Sequence, residues 1–456
     1  MTYAALLQSQ RDFFASGATR PLAFRQQQLQ TLAQALQAQE TAAVQALQAD
    51  LGKPPLEAIA AELLLISQEI AWARRHLPRW SRPQSVPLTA TQWPGRATVL
   101  PEPLGVSLIL APWNYPLQLA LVPLIGAIAA GNCAIVKPSE VAPHTAQFLQ
   151  DLCTQIFPPE YVQVVTGDQE TAIALLAEKF DKIFFTGSTR VGRLVMQAAA
   201  THLTPVTLEL GGKSPAVVAA DADLEVAVRR IVWGKFLNAG QTCIAPDYVW
   251  VPRSLLPAFT QQAIAVLKKF YGENPQQSPD YGRIVSTGHW DRLRGLLDGV
   301  EVLWGGQGDR DQRYFAPTLV QVTGWDAPVM QEEIFGPILP LLPYDDLAAV
   351  RRQLTQMEKP LALYFFGRDR RPWQQLCQEV SFGGGCFNDT IAQAAGPHLP
   401  FGGVGASGMG RYHGYHSFAA FSHFKSLLHR PNRPDFGLRY PPYPTDLGWL
   451  KRWLGG

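Results

Sequence analysis

The feature that most constrains this chain is a rhythm that begins near residue 104. LGVSLIL (104–110), CAIVK (133–137), VQVVT (162–166), KIFFT (182–186) and PVTLEL (205–210) are short, nearly continuous apolar runs separated by stretches with helical character. Strands without polar alternation are buried on both faces, and strands joined by helical crossovers form a parallel, doubly wound sheet. An α/β fold follows. Such a sheet holds ligands at the carboxyl ends of its strands, so the residues just after each run should carry the chemistry.

The rest of the chain falls around that unit. Over the first 80 residues Leu29, Leu32 and Leu36, then Val44, Leu47 and Leu51, repeat at helical spacing until Gly52 and Pro54 stop them; the glutamines among them form a solvent face. The segment 77–103, rich in Pro, Trp and Arg, has no helical period, and alternation in Thr91–Trp93 and Ala97–Leu100 suggests a hairpin or extended arm. A second α/β unit runs from about Gly211 to Ala395, with strands expected at 216–219, 248–251, 361–366 and 383–388 and helices near 223–237, 254–270 and 345–356. PFGGVGASGMGRYHG (400–414) reads as a Gly-rich loop, and the tail 438–456 is poorly periodic. A length of 456 residues suits two or three domains.

Composition removes several classes of function. With 39 basic and 37 acidic residues the chain has no charge excess to bind nucleic acid or a membrane surface, so no nucleic-acid partner is expected. The start has no basic region followed by an apolar run, and the best apolar stretch, 117–130, is too short to span a bilayer. Five scattered cysteines without a CxxC pair suit a reducing, cytoplasmic setting. Nine histidines make no HExxH, and His413, His416, His423 and His429 lack Cys or acidic co-ligands, so no metal is expected.

Several segments carry possible chemistry, each with a plainer reading. FTGSTRVG (185–192) places a glycine and a hydroxyl pair at a strand end where a helix begins. A helix N-terminus offers unpaired N–H groups to a pyrophosphate; Gly187 lets backbone approach and Ser188 can donate to an oxygen. It is not a Walker loop, because Arg193 stands where Lys is required, and GKS (212–214) fails the same test at Thr207. An ordinary strand–turn–helix is the simpler reading of it alone. Lys137 and Glu140 of VKPSE are placed to meet ribose hydroxyls, or are a solvated turn pair. Glu209 of ELGGKSP, at a sheet edge in a cleft, suits a desolvated general base, against a capping or salt-bridged Glu.

Cys243 of NAGQTCIAP lies in an irregular loop among small polar residues, unlike Cys133 among apolar neighbours, and is the candidate nucleophile among five cysteines. Asn114 of PWNYP can aim an amide N–H at a developing oxyanion, with Trp113 and Tyr115 lining an apolar pocket; a Pro-framed turn is the alternative. QEEIFGPILP puts Glu333 and Phe335 on a turn ahead of a strand, where adjacent carboxylates are usually solvated.

Each motif is weak alone, but PWNYP, VKPSE, FTGSTRVG, ELGGKSP, NAGQTC, EEIFGP and PFGGVGASGMGRYHG in this order resemble the NAD(P)-dependent aldehyde dehydrogenase superfamily, from about Arg25 to RYPPY at 439–443. DLGKP (50–54), RYHG (411–414) and RYPPY resemble its class 3 branch, which includes fatty aldehyde dehydrogenases. The resemblance implies a Rossmann-type five-stranded cofactor domain (1–80 and 101–210, with 411–424 returning to it). It further implies an α/β catalytic domain (211–410) and a small β oligomerisation arm (81–100 and 425–440), followed by a tail (441–456). It makes Cys243 the nucleophile, Glu209 the general base and Asn114 the oxyanion donor. It assigns NAD or NADP to Trp113, Lys137, Glu140, Thr186, Gly187, Ser188, Val191, Gly192, Leu210, Glu333 and Phe335, and a homodimer to the assembly.

The reaction so implied is oxidation of an aldehyde to the acid through a cysteine thioester. A CoA-acylating relative, a phosphate-transferring enzyme, or a non-catalytic nucleotide-binding protein on the same scaffold are the alternatives; Glu209 favours hydrolysis. Tyr115, Trp233, Ile391 and Phe401 match or neighbour the family's substrate tunnel and none is charged, which favours medium-to-long aliphatic, aromatic or polyene aldehydes over acidic semialdehydes. Glu140 should disfavour a 2′-phosphate, although class 3 relatives often accept both cofactors. The tail carries no transmembrane anchor, and Trp449, Leu450, Trp453 and Leu454 could make one weak amphipathic contact with a bilayer surface.

Overall fold

The computed structural model describes residues 2–449 and Arg452, without the side chain of Leu438. The chain divides into two compact units, residues 1–80 with 103–423 and residues 81–102 with 424–456. In the smaller unit, β1 (Gln84–Val86) pairs antiparallel with β2 (Arg96–Pro103), which neighbours β18 (Ser422–His429). Thr91–Trp93 is no strand: Ala90–Gln92 is a 3₁₀ turn closed by Thr89 and Gln92 in a reciprocal capping box. Alternation over three residues was too short to tell strand from turn. Leu450, Trp453 and Leu454, expected in a membrane contact, lie outside the described residues.

In the larger unit the five runs from residue 104 are β3 (Val106–Leu110), β4 (Cys133–Lys137), β5 (Val162–Val164), β6 (Lys182–Thr186) and β7 (Val206–Glu209). They are parallel in the order β7-β6-β3-β4-β5, and β3, β4 and β6 are buried at every position. A sixth strand, β17 (Gly408–Met409) from the Gly-rich loop, pairs antiparallel beside β7, so Glu209 is not at an open edge. The helix Gln118–Ala130, packed on β3 and β4, is apolar nearly all round and buried along its length, and ends at Gly131 in the left-handed region (φ +96°) where glycine is at no disadvantage.

The second sheet contains β8 (Pro215–Val218), β9 (Tyr248–Pro252), β10 (Glu301–Trp304), β13 (Thr318–Gln321), β14 (Ile338–Tyr344), β15 (Ala362–Phe366) and β16 (Gly384–Phe387), in the order β10-β13-β14-β9-β8-β15-β16. A two-stranded ribbon, β11 (Gly308–Asp309) with β12 (Tyr314–Phe315), lies apart from it. Among the described residues no helix is long and apolar enough to cross a membrane.

The early leucines do what their spacing demands: Leu29, Leu32, Leu47 and Leu51 are wholly buried. Cys243 precedes β9, whereas Thr186 and Glu209 end β6 and β7. The site therefore lies between carboxyl ends of the first sheet and amino ends of the second.

Candidate active site

The loop that presents Cys243 is built from the helix Leu224–Phe236 outward. Past its end, Asn238 and Ala239 both take left-handed φ (+51° and +52°), which turns the chain sharply. Asn238 Nδ2 donates to the carbonyls of Asn114 (2.9 Å) and Gln241 (3.2 Å). Gln241, wholly buried, donates to the carbonyls of Asn238 and Arg283 and accepts from Val285 N–H, all between 2.9 and 3.0 Å. Asn114 Nδ2 donates to the Gln241 carbonyl at 3.0 Å, which leaves its second amide hydrogen free of any bond in this network. PWNYP and NAGQTC, far apart in sequence, are thereby locked together.

A buried ion pair supports the Asn114 turn from below. Lys53 and Glu62, neither with any exposed side-chain surface, form a short ion pair. Lys53 Nζ also donates to the Asn114 carbonyl (3.1 Å) and stands 4.2 Å from the Tyr115 ring centre, and Glu62 accepts from Leu117 and Gln118 N–H. Glu57 Oε2 accepts from Asn238 N–H at 3.0 Å. None of these supporting residues was evident from sequence; DLGKP marked only the branch, not the role of Lys53.

A cavity of about 410 Å³ opens onto Cys243. Glu209, Thr186 and Leu210 line it from the first sheet, and Tyr115, Trp233, Ile391 and Phe401 also line it, so the expected substrate contacts are brought together. Sequence reasoning missed Leu56, Ala60, Ala61 and Leu65, which form an apolar wall from the first helical region. Trp113 does not line this cavity: its ring sits edge-on to Phe335, 5.3 Å between centres. Phe335 is itself held in a left-handed conformation (φ +51°), its carbonyl accepting from His289 Nε2 at 2.7 Å.

Electrostatics set the resting protonation. Both Glu209 oxygens are buried with no hydrogen-bond partner among the described residues, and burial holds this carboxyl far above its ordinary range. Burial, then the Glu333 and Glu209 charges, also push the Cys243 thiol up, against the pull of the Cys243 and Ile244 N–H groups. Burial first, then Asp247, raises Glu333 to about 8, while the Gly212 N–H, Lys213 and Lys235 oppose. Its neighbour Glu332 is instead an exposed partner of Arg292 (2.9 Å).

The residues expected to hold a dinucleotide fit one. Thr186 Oγ1 is buried at the end of β6 with no partner among the described residues, and Ser188 caps the helix Thr189–Ala200, its Oγ accepting from Val191 N–H. Gly192 packs so closely on Leu210 that a Cβ would come within 2.6 Å of Cδ2, and a Cβ at Gly211 would fall 1.9 Å from Glu333 Oε2. These glycines keep a helix start and a carboxylate close to the strand ends. Lys137 and Glu140 pair with each other at 2.5 Å at the end of β4.

The sequence matches the model of the "Aldehyde dehydrogenase family" over residues 2–427. This chain belongs to the aldehyde dehydrogenase family. It is 46% identical to 4,4′-diaponeurosporen-aldehyde dehydrogenase of Staphylococcus aureus, over 97% of this chain and 96% of that protein. It is 44% identical to an "aldehyde dehydrogenase, dimeric NADP-preferring" of Canis lupus familiaris, over 96% and 97%. Among solved structures, the substrate-bound state of Staphylococcus aureus AldH superposes with a TM-score of 0.96 at 44% identity, covering 99% of each chain. The aldehyde dehydrogenase reading of the motifs therefore holds for fold and reaction alike: this is an NAD(P)-dependent enzyme that oxidises aldehydes to acids.

Proposed function

We propose that this aldehyde dehydrogenase acts on medium- and long-chain aliphatic, aromatic or polyene aldehydes, with Cys243 as nucleophile, Asn114 as oxyanion donor and Glu209 as general base. The observation that carries this reading is the apolar cavity that ends on Cys243 and Glu209 and has no Arg or Lys among its lining residues. An acidic semialdehyde would need such a cation, and Glu57 in the wall would oppose it. The Staphylococcus aureus relative, named for a polyene aldehyde, supports the choice.

The deprotonated Cys243 sulfur attacks the carbonyl carbon, and the oxyanion is held by the free Asn114 amide hydrogen and the Cys243 backbone N–H. Bound NAD(P)⁺ supplies the hydride acceptor. The Cys243 thioester is then hydrolysed by water whose proton Glu209 takes. Desolvation gives Glu209 the basicity for that step, because an ordinary carboxylate is too weak a base. Trp113, Glu333 and Phe335 would hold the nicotinamide end, Lys137 and Glu140 the adenosine ribose, and Thr186, Gly187, Ser188, Val191, Gly192 and Leu210 the phosphate turn.

We extend the proposal to organisation. Residues 1–80 and 101–210, with 411–424, form the cofactor domain and 211–410 the catalytic domain. Residues 81–100 and 425–440 serve as an oligomerisation arm for a homodimer, in line with the name of the canine relative. The unpaired cysteines suit the cytoplasm.

The test is absorbance of the reduced nicotinamide with decanal or benzaldehyde, using NAD or NADP, for wild type and Cys243→Ala. Turnover that vanishes in the variant supports the thioester route and ranks the cofactors. Turnover that survives the substitution removes Cys243 as nucleophile.

A further inference from the structure

Lys235 lies in the last turn of the helix Leu224–Phe236 with none of its side chain exposed. Among the described residues its ammonium has no hydrogen-bond partner, and Asp247 Oδ1 stands 4.0 Å away. A buried, incompletely paired ammonium is costly, and the reaction scheme above gives it no task.

Its surroundings give it one. Asp247, four residues beyond the nucleophile, accepts from Lys213 at 2.5 Å and from Ile334 N–H at 3.0 Å, while its own N–H donates to the Ser214 carbonyl at 2.7 Å. Lys213 Nζ further binds the carbonyls of Val329 (3.0 Å) and Glu332 (2.9 Å). Three segments meet there: the ELGGKS turn, the exit of the Cys243 loop, and the loop that carries Glu333. Glu333 precedes Ile334, and its carboxylate lies against Gly211. Lys213 is fully occupied by this network, whereas Lys235 has no hydrogen bond among the described residues.

We propose that Lys235 is a positioning residue for the cofactor, the buried countercharge that favours the ionised Glu333 carboxylate, the form able to accept hydrogen bonds from the nicotinamide riboside on both oxygens. This rests on the reading of Glu333 as the riboside holder. An ionised carboxylate accepts on both oxygens, and a protonated one gives up part of that capacity. Burial and Asp247 favour the protonated form of Glu333, and the Gly212 N–H, Lys213 and Lys235 favour the ionised one. Cys243 also faces this carboxylate, and Arg292 reaches the Glu333 backbone carbonyl at 3.4 Å. Burial lowers the Lys235 ammonium itself to about 8, so its charge is present below that pH, and removing it there raises the pH at which Glu333 ionises. Removing the Asp247 charge lowers it. The two substitutions act in opposite directions, which general damage to the fold would not do.

The experiment is a fluorescence titration of the full chain with NADH between pH 6 and 9, for wild type, Lys235→Met, Asp247→Asn and Glu333→Gln. Wild-type affinity should fall as pH drops through about 8. Lys235→Met should move that midpoint up and weaken Kd several-fold below it. Asp247→Asn should move it down, and Glu333→Gln should bind weakly without this pH dependence. Lys235→Gln must repeat the upward shift, and stands in if the Met variant does not fold. If Glu333→Gln binds like wild type, the reading of Glu333 fails. If Glu333→Gln is weak but the Lys235 variants lose affinity equally at every pH, or leave the midpoint in place, the proposal for Lys235 is overturned.

Discussion

The apolar cavity makes a quantitative claim about chain length. Its wall is carbon on every side that Leu56, Ala60, Ala61 and Leu65 contribute, and Trp233, 43% exposed, stands at its outer part. Each methylene moved from water to such a wall is worth about 0.8 kcal/mol, or about fourfold in kcat/KM. From butanal to decanal, six added methylenes should raise kcat/KM by about three orders of magnitude if all are buried, short of the diffusional ceiling. The slope should flatten once the chain reaches partly exposed Trp233. Ala61→Phe, which puts a large ring into the half-buried wall, should depress the long aldehydes and spare the short ones. The assay is nicotinamide absorbance at fixed pH across the aldehyde series. A flat series, an Ala61→Phe variant with an unaltered profile, or succinic semialdehyde turned over more efficiently than decanal would refute the reading of the cavity.

Other expected outcomes follow from named groups. Since the free Cys243 thiol is held up by burial, its alkylation by iodoacetamide should climb steadily with pH through the neutral range, by about tenfold per unit while the thiol form dominates, measured by intact mass. Glu209→Gln should release about one equivalent of reduced cofactor and then stall at the thioester, seen as a burst followed by a steady state lowered at least 10²-fold. Gly192→Ala, which places Cβ 2.6 Å from Leu210 Cδ2, should raise the cofactor KM several-fold with little change in thiol alkylation. Glu69, 2% exposed, is raised by burial to about 7 from an unfolded value of 4.5. The folded state therefore holds its proton longer, and stability should fall as pH rises from about 4.5 to 7, by about 3 kcal/mol. Glu69→Gln keeps an oxygen for the Gly414 N–H and should remove that part of the decline in a series of melting temperatures against pH.

Much of the fold was legible because its signals are local. Five buried strands each announce themselves within a few residues, and the leucine spacing of the first helices needs only a turn or two of context. The short pairing strand β17 was hidden in a Gly-rich run, since two residues carry no period. Within the candidate site the residues that face the cavity from strand ends and unusual loops, such as Glu209, Tyr115 and Cys243, were legible, whereas Leu56, Ala60, Ala61 and Leu65 of the first helical region, which carry only an ordinary apolar pattern, were not. Nor were the supports. Glu57 reaches Asn238 across 181 positions, and Lys53 reaches Asn114 across 61; sequence separation of that size leaves no pattern to read. Adjacent carboxylates also defeated the general rule. Glu332 is solvated as the rule expects, yet Glu333 is half-buried with its carboxylate against Gly211, because successive side chains in this turn meet different environments.

The same hidden supports explain why strained backbone persists here. Asn238, Ala239, Phe335, Ile391 and His413 all have positive φ, and for a β-branched residue such as Ile391 (φ +52°) that conformation is rare. Each such residue costs on the order of 1–3 kcal/mol and survives only where its neighbours over-determine it. Asn238 meets that condition through Glu57 and two carbonyls, and Phe335 through Trp113 and His289. Two of the strained positions belong to the loop that ends on Cys243, one follows Glu333, and Ile391 and His413 line the cavity. The network that resists reading from sequence is thus the one that holds the Cys243 loop and the Glu333 turn in shapes the chain would not adopt alone. Loosening it at Glu57 or Lys235 should therefore disturb the chemistry before it disturbs the fold.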